Sequence, residues 1–220
     1  IDENTLLLES QEKVGKKILI TGGGMCNVTN TNEPELFLTH FRVKKMINFL
    51  KPAILNFSTK KCRDWLENIG LELTTRDDGK VFPSTLKAQS VIDILLKEAK
   101  NKNHKFRYKS KITKISQNNG VFTLNINKEE LQCKNLIICT GGKSFPETGS
   151  NGSGYNLAEQ LGHKIVSPSE ALVGIKVLNY KFKSISGNSI KNSLVEFYRE
   201  NENKRYYIDI GDLLFTHQGL

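Results

Sequence analysis

At 220 residues, 38% apolar and 25% charged, the chain has the composition of a soluble domain or a domain and a half with a core of its own. No apolar run approaches the roughly 20 residues of a membrane helix, and the opening Ile1-Asp2-Glu3-Asn4 has neither part of a signal peptide, so a cytoplasmic protein with no membrane partner is expected. The net charge of +9 is carried mainly by scattered lysines, among them the pairs Lys16-Lys17, Lys44-Lys45 and Lys60-Lys61, without clustered Arg or stacking aromatics; solvated faces and no nucleic-acid partner are expected.

Cys26, Cys62, Cys133 and Cys139 share no CxxC spacing, which argues against a zinc site or a redox dithiol and for reduced, mostly buried thiols. The chain begins with Ile rather than Met, directly ahead of an apolar run, and ends on Phe215-Thr216-His217-Gln218-Gly219-Leu220. Both ends are expected to be cut points of a longer protein.

In chain order, Thr5 to Ser10 is a short apolar run ending in a carboxylate, the pattern of a buried parallel strand whose polar end, Glu9, lies at the ligand edge of a sheet. In dinucleotide folds such an acid binds a ribose; a strand-end acid facing only water is the plainer reading. Next comes Ile20-Thr21-Gly22-Gly23-Gly24-Met25-Cys26-Asn27-Val28-Thr29-Asn30. Three glycines after an apolar run let bare backbone approach a ligand and turn successive N–H groups toward one anion, although a glycine triplet also makes an ordinary loop.

A helix carrying Phe41, Met46, Ile47 and Leu50 is expected next, then a second from Ser58 to Ile69, capped by Ser58 and ended by Gly70. In the latter, Cys62, Trp65, Leu66 and Ile69 share one face and read as core. Arg76 to Lys80 is a turn, and Val81-Phe82-Pro83-Ser84 leads to a helix over Thr85 to Lys100 with an apolar stripe of Ala88, Val91, Ile92, Leu95 and Ala99. A β-meander follows over Lys111 to Ser116, Val121 to Ile126 and Leu131 to Cys133. It leads to a second buried strand, Asn135 to Cys139, running into Thr140-Gly141-Gly142, and then to a short helix opened by Ser150 to Gly154 and closed by Gly162. Two glycine-bearing strand ends converging on one ligand favour a nucleotide site over a plain loop. Beyond His163 the chain turns β-rich, with strands expected at Leu172 to Val177, Ser193 to Arg199 and Lys204 to Ile210, so residues 1–163 read as one α/β domain and 164–220 as the start of a β-rich one.

Gly15 to Asn30 and Thr140 to Ser150, with Val81-Phe82-Pro83, Gly187-Asn188-Ser189 and Leu214-Phe215-Thr216-His217, resemble in order and spacing the bacterial aminoacetone oxidase-like FAD-dependent oxidoreductases, a family that includes the flavin reductase of bile-acid dehydroxylation. The resemblance implies an FAD-binding, doubly wound Rossmann-like sheet with a β-meander, lacking here its first βα unit, and an inserted β-rich domain. It implies that Glu9 binds the adenosine ribose, that Gly22, Gly23, Gly24, Cys26 and Asn27 line the pyrophosphate and flavin side, that Ile112 touches adenine through its backbone, and that Thr140, Gly141 and Gly142 close over the cofactor. Three departures stand out: Met25 replaces a usual Arg, removing a charge near the pyrophosphate, Cys139 a usual Ala, and Gln218 a usual aromatic.

The expected function is an FAD-dependent oxidoreductase acting on a small organic molecule, with NADH or NADPH as electron partner and few catalytic side chains, since the flavin carries the chemistry. The alternative is a non-catalytic nucleotide-binding or remnant chain, because the missing first βα unit would carry the helix dipole that normally faces the pyrophosphate. Cys26 reads either as a redox thiol or, lacking a partner cysteine, as a small packing residue. No residue is assigned as catalytic, and the oligomeric state is left open.

Overall fold

In the computed structural model, which describes residues 5–41, 43–170, 173–201 and 203–220, the chain divides into two units, Ile1–Ile165 and Val166–Leu220. The first runs β1 (Leu6–Leu8), α1 (Lys16–Ile20), β2 (Thr29–Asn30), α2 (Pro34–Thr39), α3 (Lys44–Asn56), α4 (Thr59–Asn68), β3 (Leu73–Thr75), β4 (Lys80–Pro83), α5 (Ala88–Asn101), β5 (Lys105–Arg107), β6 (Ile112–Asn118), β7 (Val121–Ile126), β8 (Glu129–Cys133) and α6 (Ser153–Gln160). The second contains β9 (Ser189–Tyr198) and β10 (Arg205–Leu214), an antiparallel hairpin. Among the described residues no helix is long and apolar enough to cross a membrane.

The parallel element is β1 against β5, with Leu6, Leu7 and Leu8 opposite Lys105, Phe106 and Arg107. Pairing extends past the strand ends, since Lys105 N–H donates to Thr5 O at 3.0 Å and Glu9 N–H to Arg107 O at 3.0 Å. β5 had no clear signature in the sequence, because three residues with two cations do not show the apolar run of a buried parallel strand. β6, β7 and β8 form the expected meander. Its inward residues Ile115, Leu124 and Ile126 join Leu157 of α6 in one buried cluster, with Leu8, Leu136 and Ile138 packed against it.

A second cluster gathers Cys26, Leu66, Leu71, Ala88 and Val91 between α4 and α5. The end of α4 shows how the sequence sets its exit. Gly70, at φ +100°, takes the left-handed position after Ile69, so that its N–H donates to Glu67 O and the N–H of Leu71 to Leu66 O, both at 2.9 Å. Leu66 and Leu71, thus brought together, are both buried in the same cluster, the apolar contact that accompanies this cap. At the other end Ser58 Oγ accepts from Lys61 N–H at 3.2 Å.

Several elements depart from the sequence expectations. Ile18 to Ile20 belongs to a short helix rather than a strand: Ile18 packs on the Cys26 cluster while Leu19 and Ile20 are exposed, which the alternation of a strand would not give. Asn135 to Cys139 forms no ladder among the described residues, although Leu136 and Ile138 pack inward and Ile137 is 72% exposed, so the period of a strand survives without its pairing. The helical stretch after residue 31 is split: α2 ends at Thr39, Phe41 lies between α2 and α3, and α3 leaves Met46 and Phe49 exposed. The strand expected at Leu172 to Val177 lies partly outside the described residues; from Ile175 onward it reduces to hydrogen bonds between Ile175 and Leu220 and from Val177 N–H to Gln218 O.

Candidate functional site

Glu9 stands at the carboxyl end of β1, half-buried. Its Oε1 accepts from the backbone N–H of Gln11 at 2.8 Å and from Ser10 Oγ at 3.4 Å, which holds the carboxylate over the strand end; Oε2 has no hydrogen-bond partner among the described residues. The buried Ser110 donates its N–H to Glu9 O at 2.9 Å, so the chain enters β6 beside this acid. Two residues on, Ile112 packs its side chain against the meander cluster, and a register shift follows it between Ile112 and Lys114.

The glycine loop is a tight left-handed coil. Gly22, Gly23 and Gly24 have φ of +55°, +65° and +87°, all three are exposed, and Cys26 follows at φ +60°. A Cβ at Gly22 would come within 2.7 Å of Asn27 N and 3.2 Å of Phe82 Cε1, so the loop closes on itself and on β4 only because that residue lacks a side chain. Cys26 donates its N–H to Thr21 O at 3.0 Å, and its thiol lies in the core with Leu66, Leu71, Ala88 and Val91. Its surroundings are those of a packing residue. The Asn27 amide lies 3.1 Å from Val81 O and 2.6 Å from Thr29 O, and the orientation that places its nitrogen there lets it donate to both and fasten the loop to β4.

Thr140, Gly141 and Gly142 run against the first turn of α6. A Cβ at Gly154 would overlap Thr140 Oγ1, and Gly141, at φ +78°, leaves room for Ser150 Oγ, which a Cβ there would meet at 2.8 Å. Gly152 N–H donates to Gly142 O at 2.9 Å. Gly152 and Gly154 therefore let the backbone here lie against the side chains of Lys143 and Thr140.

No hydrogen bond joins the two glycine segments directly among the described residues; their neighbours are joined instead. Lys17, in α1 just ahead of the first loop, donates through Nζ to both Ser144 O and Ser144 Oγ and lies 5.3 Å from the Phe145 ring centroid. Lys16 Nζ donates to Gln11 Oε1 at 2.8 Å, and the Gln11 side chain packs against Gly149. Residues 9–11, 16–17 and 144–149 thus form one connected set. Lys16 and Lys17 read from sequence as a solvated pair; the spacing to the glycine loop was the only signal available. Arg76 was read as a turn residue, yet its Nη2 donates to Met25 Sδ at 3.1 Å, so a guanidinium lies against the residue whose own charge was noted as missing.

The family described as HI0933-like protein Rossmann domain matches residues 1–195, and the chain belongs to it. The chain is similar to the ribosomal RNA dihydrouridine synthase of Escherichia coli, 30% identical over 98% of this chain and 52% of that protein. It is similar to the protein of the same name from Haemophilus influenzae, 27% identical over 100% of this chain and 53% of that protein. With the 3-dehydro-bile acid delta(4,6)-reductase of Clostridium scindens it is 28% identical over 84% of this chain and 44% of that protein. The chain spans about half the length of the curated relatives it matches. The resemblance and the α/β Rossmann class read from the motifs are borne out.

Proposed function

We propose that the protein carrying this chain is an FAD-dependent oxidoreductase that reduces a carbon–carbon double bond, and that its substrate is a uridine of ribosomal RNA. The observation that carries the cofactor half is Glu9: in a Rossmann-family domain, a carboxylate at the carboxyl end of a parallel strand with one oxygen held by the backbone has the position and free acceptor suited to a ribose diol. The exposed, left-handed glycine loop fits a group that needs bare backbone close by. Bound FAD would supply hydride chemistry. The chain's own residues would do the holding: Glu9 accepts from ribose hydroxyls, the loop of Gly22, Gly23 and Gly24 approaches the diphosphate with its backbone, and Thr140, Gly141 and Gly142 close over the cofactor.

The substrate half is supported by the two dihydrouridine synthases, which align with nearly the whole chain; dihydrouridine is uridine with two hydrogens added across one carbon–carbon bond. The likeness to these synthases, and not the scattered lysines behind the net charge of +9, is what replaces the sequence expectation of no nucleic-acid partner. A substrate of this kind calls for a cytoplasmic protein. The small-molecule substrate expected from the sequence is the second reading, favoured by the likeness to a bile-acid reductase. NADH or NADPH is the proposed electron donor in both.

The test begins with the visible spectrum of the purified full-length protein and chromatography of its extracted flavin. The protein is then incubated anaerobically with NADH or NADPH and ribosomal RNA lacking the modification, followed by mass spectrometry of the nucleosides. FAD in the extract and a uridine gaining two hydrogens are expected. Recovery of FMN, or of no flavin from folded protein, refutes the cofactor assignment, and unchanged RNA with reduction of an enone steroid favours the second reading.

A further inference from the structure

Arg76 follows β3 and is pinned by its backbone: its N–H donates to Lys80 O and its carbonyl accepts from Gly79 N–H, both at 2.9 Å. Its side chain turns toward the glycine loop. The guanidinium carbon lies 4.3 Å from the centroid of the Phe82 ring, and that ring is buried with its Cε1 against Gly22. The guanidinium, the ring and the loop are therefore successive layers of one surface.

The partners of this cation do not match its charge. One N–H goes to the Met25 thioether, a weak acceptor, and no carboxylate forms an ion pair with Arg76 among the described residues. Asp78, two residues away, feels the charge of Arg76 but is bonded to Lys80, at 2.7 Å. An exposed planar fork with no other side-chain hydrogen bond among the described residues, lying over a ring that also backs the exposed left-handed Gly22, has the chemistry of an oxyanion ligand.

We infer that Arg76 is the cationic ligand of the glycine loop and contacts the diphosphate of a bound nucleotide, with Phe82 setting the plane of its guanidinium. That the nucleotide is FAD rests on the function proposed above; the diphosphate site itself does not.

The full-length apo-protein is titrated calorimetrically with FAD and, separately, with inorganic pyrophosphate, at low and high salt, for the wild type and for Arg76→Gln, Arg76→Lys and Lys80→Gln. Arg76→Gln is expected to weaken both ligands by about 10- to 100-fold, the range for a charge-assisted hydrogen bond, and to flatten the salt dependence. Arg76→Lys is expected to recover part of the loss, Lys80→Gln to weaken binding far less than Arg76→Gln because it only frees Asp78 and leaves the guanidinium in place, and Met25→Arg in the Arg76→Gln background to restore binding. Should Arg76→Gln fold poorly, Arg76→Lys and the double variant carry the comparison. Pyrophosphate binding that depends on Arg76 in a protein that takes no FAD upholds this site and sinks the FAD assignment. Wild-type affinity in Arg76→Gln, an equal loss in Lys80→Gln, or a wild type that binds neither ligand overturns the inference.

Discussion

Gly154, in the first turn of α6, has its backbone against the Thr140 hydroxyl, where a Cβ would overlap Oγ1. Gly154→Ala is expected to destabilise the full-length protein by about 1–3 kcal/mol, the usual range for overpacking. Adding Thr140→Ala to Gly154→Ala should return part of that stability, since the two sites touch and should couple. Urea unfolding of the four-member cycle measures this; additive effects would mean that the strain is relieved elsewhere.

Glu9→Ala is expected to weaken FAD binding by about 1–3 kcal/mol, the range for hydrogen bonds to a charged group, while leaving the thermal melt of the full-length protein near wild type. Fluorescence titration of the apo-protein reads the affinity. An unchanged dissociation constant would return Glu9 to a solvated strand end whose only bonds are to Gln11 and Ser10.

The four thiols should react in a fixed order. Cys139 is exposed and Cys26 buried, while burial pushes the thiols of Cys62 and Cys133 above their ordinary value and so lowers their thiolate fraction. Brief iodoacetamide treatment of the native protein, mapped by mass spectrometry, is expected to label Cys139 first. Early labelling of Cys26 would show that the glycine loop opens far more readily than its packing implies.

Asp78 supplies a pH test. A hydrogen bond from the Lys80 ammonium, with the Lys80 backbone N–H adding to it, holds the Asp78 carboxyl below the ordinary aspartate value. The pair therefore stabilises the turn above the unfolded value of about 3.9 and loses that contribution as pH falls through the lower folded value. An NMR titration should place the Asp78 midpoint under that of a free aspartate, and Lys80→Ala should move it upward. Because both side chains are about half exposed to solvent, that contribution is small, and the acid unfolding curve of Asp78→Asn should lie close to that of wild type.

What the sequence made legible is the local chemistry. Ser58 and Gly70 delimit α4 because capping depends on residues a few positions apart, and the turn after Gln117 predicts the meander for the same reason. What it concealed depends on distant contacts. Ile18 to Ile20 has a strand's composition but lies on α5, against which Gly15 fits only for want of a side chain. β5 is a strand because β1 lies beside it. In the candidate site, Glu9 and the glycines were visible as residue types in a spacing, whereas Lys17 and Arg76 reach their places through partners 127 and 51 positions away. Long, flexible cations carry no periodicity that would announce such a reach.

The pairing of Leu6 with Lys105 is also a long-range contact that folding must close. The cap of α4, the turn at Gly79 and the meander each close over a short stretch of chain, whereas β1 must wait for a partner roughly a hundred residues later, a loop whose closure entropy is met only after the intervening segments are in place. On the ribosome, Leu6, Leu7 and Leu8 leave the exit tunnel before β5 and are without that parallel partner until it follows. The backbone of Glu9 can join this ladder only once Arg107 is present, whereas its carboxylate is held by the neighbouring Ser10 and Gln11.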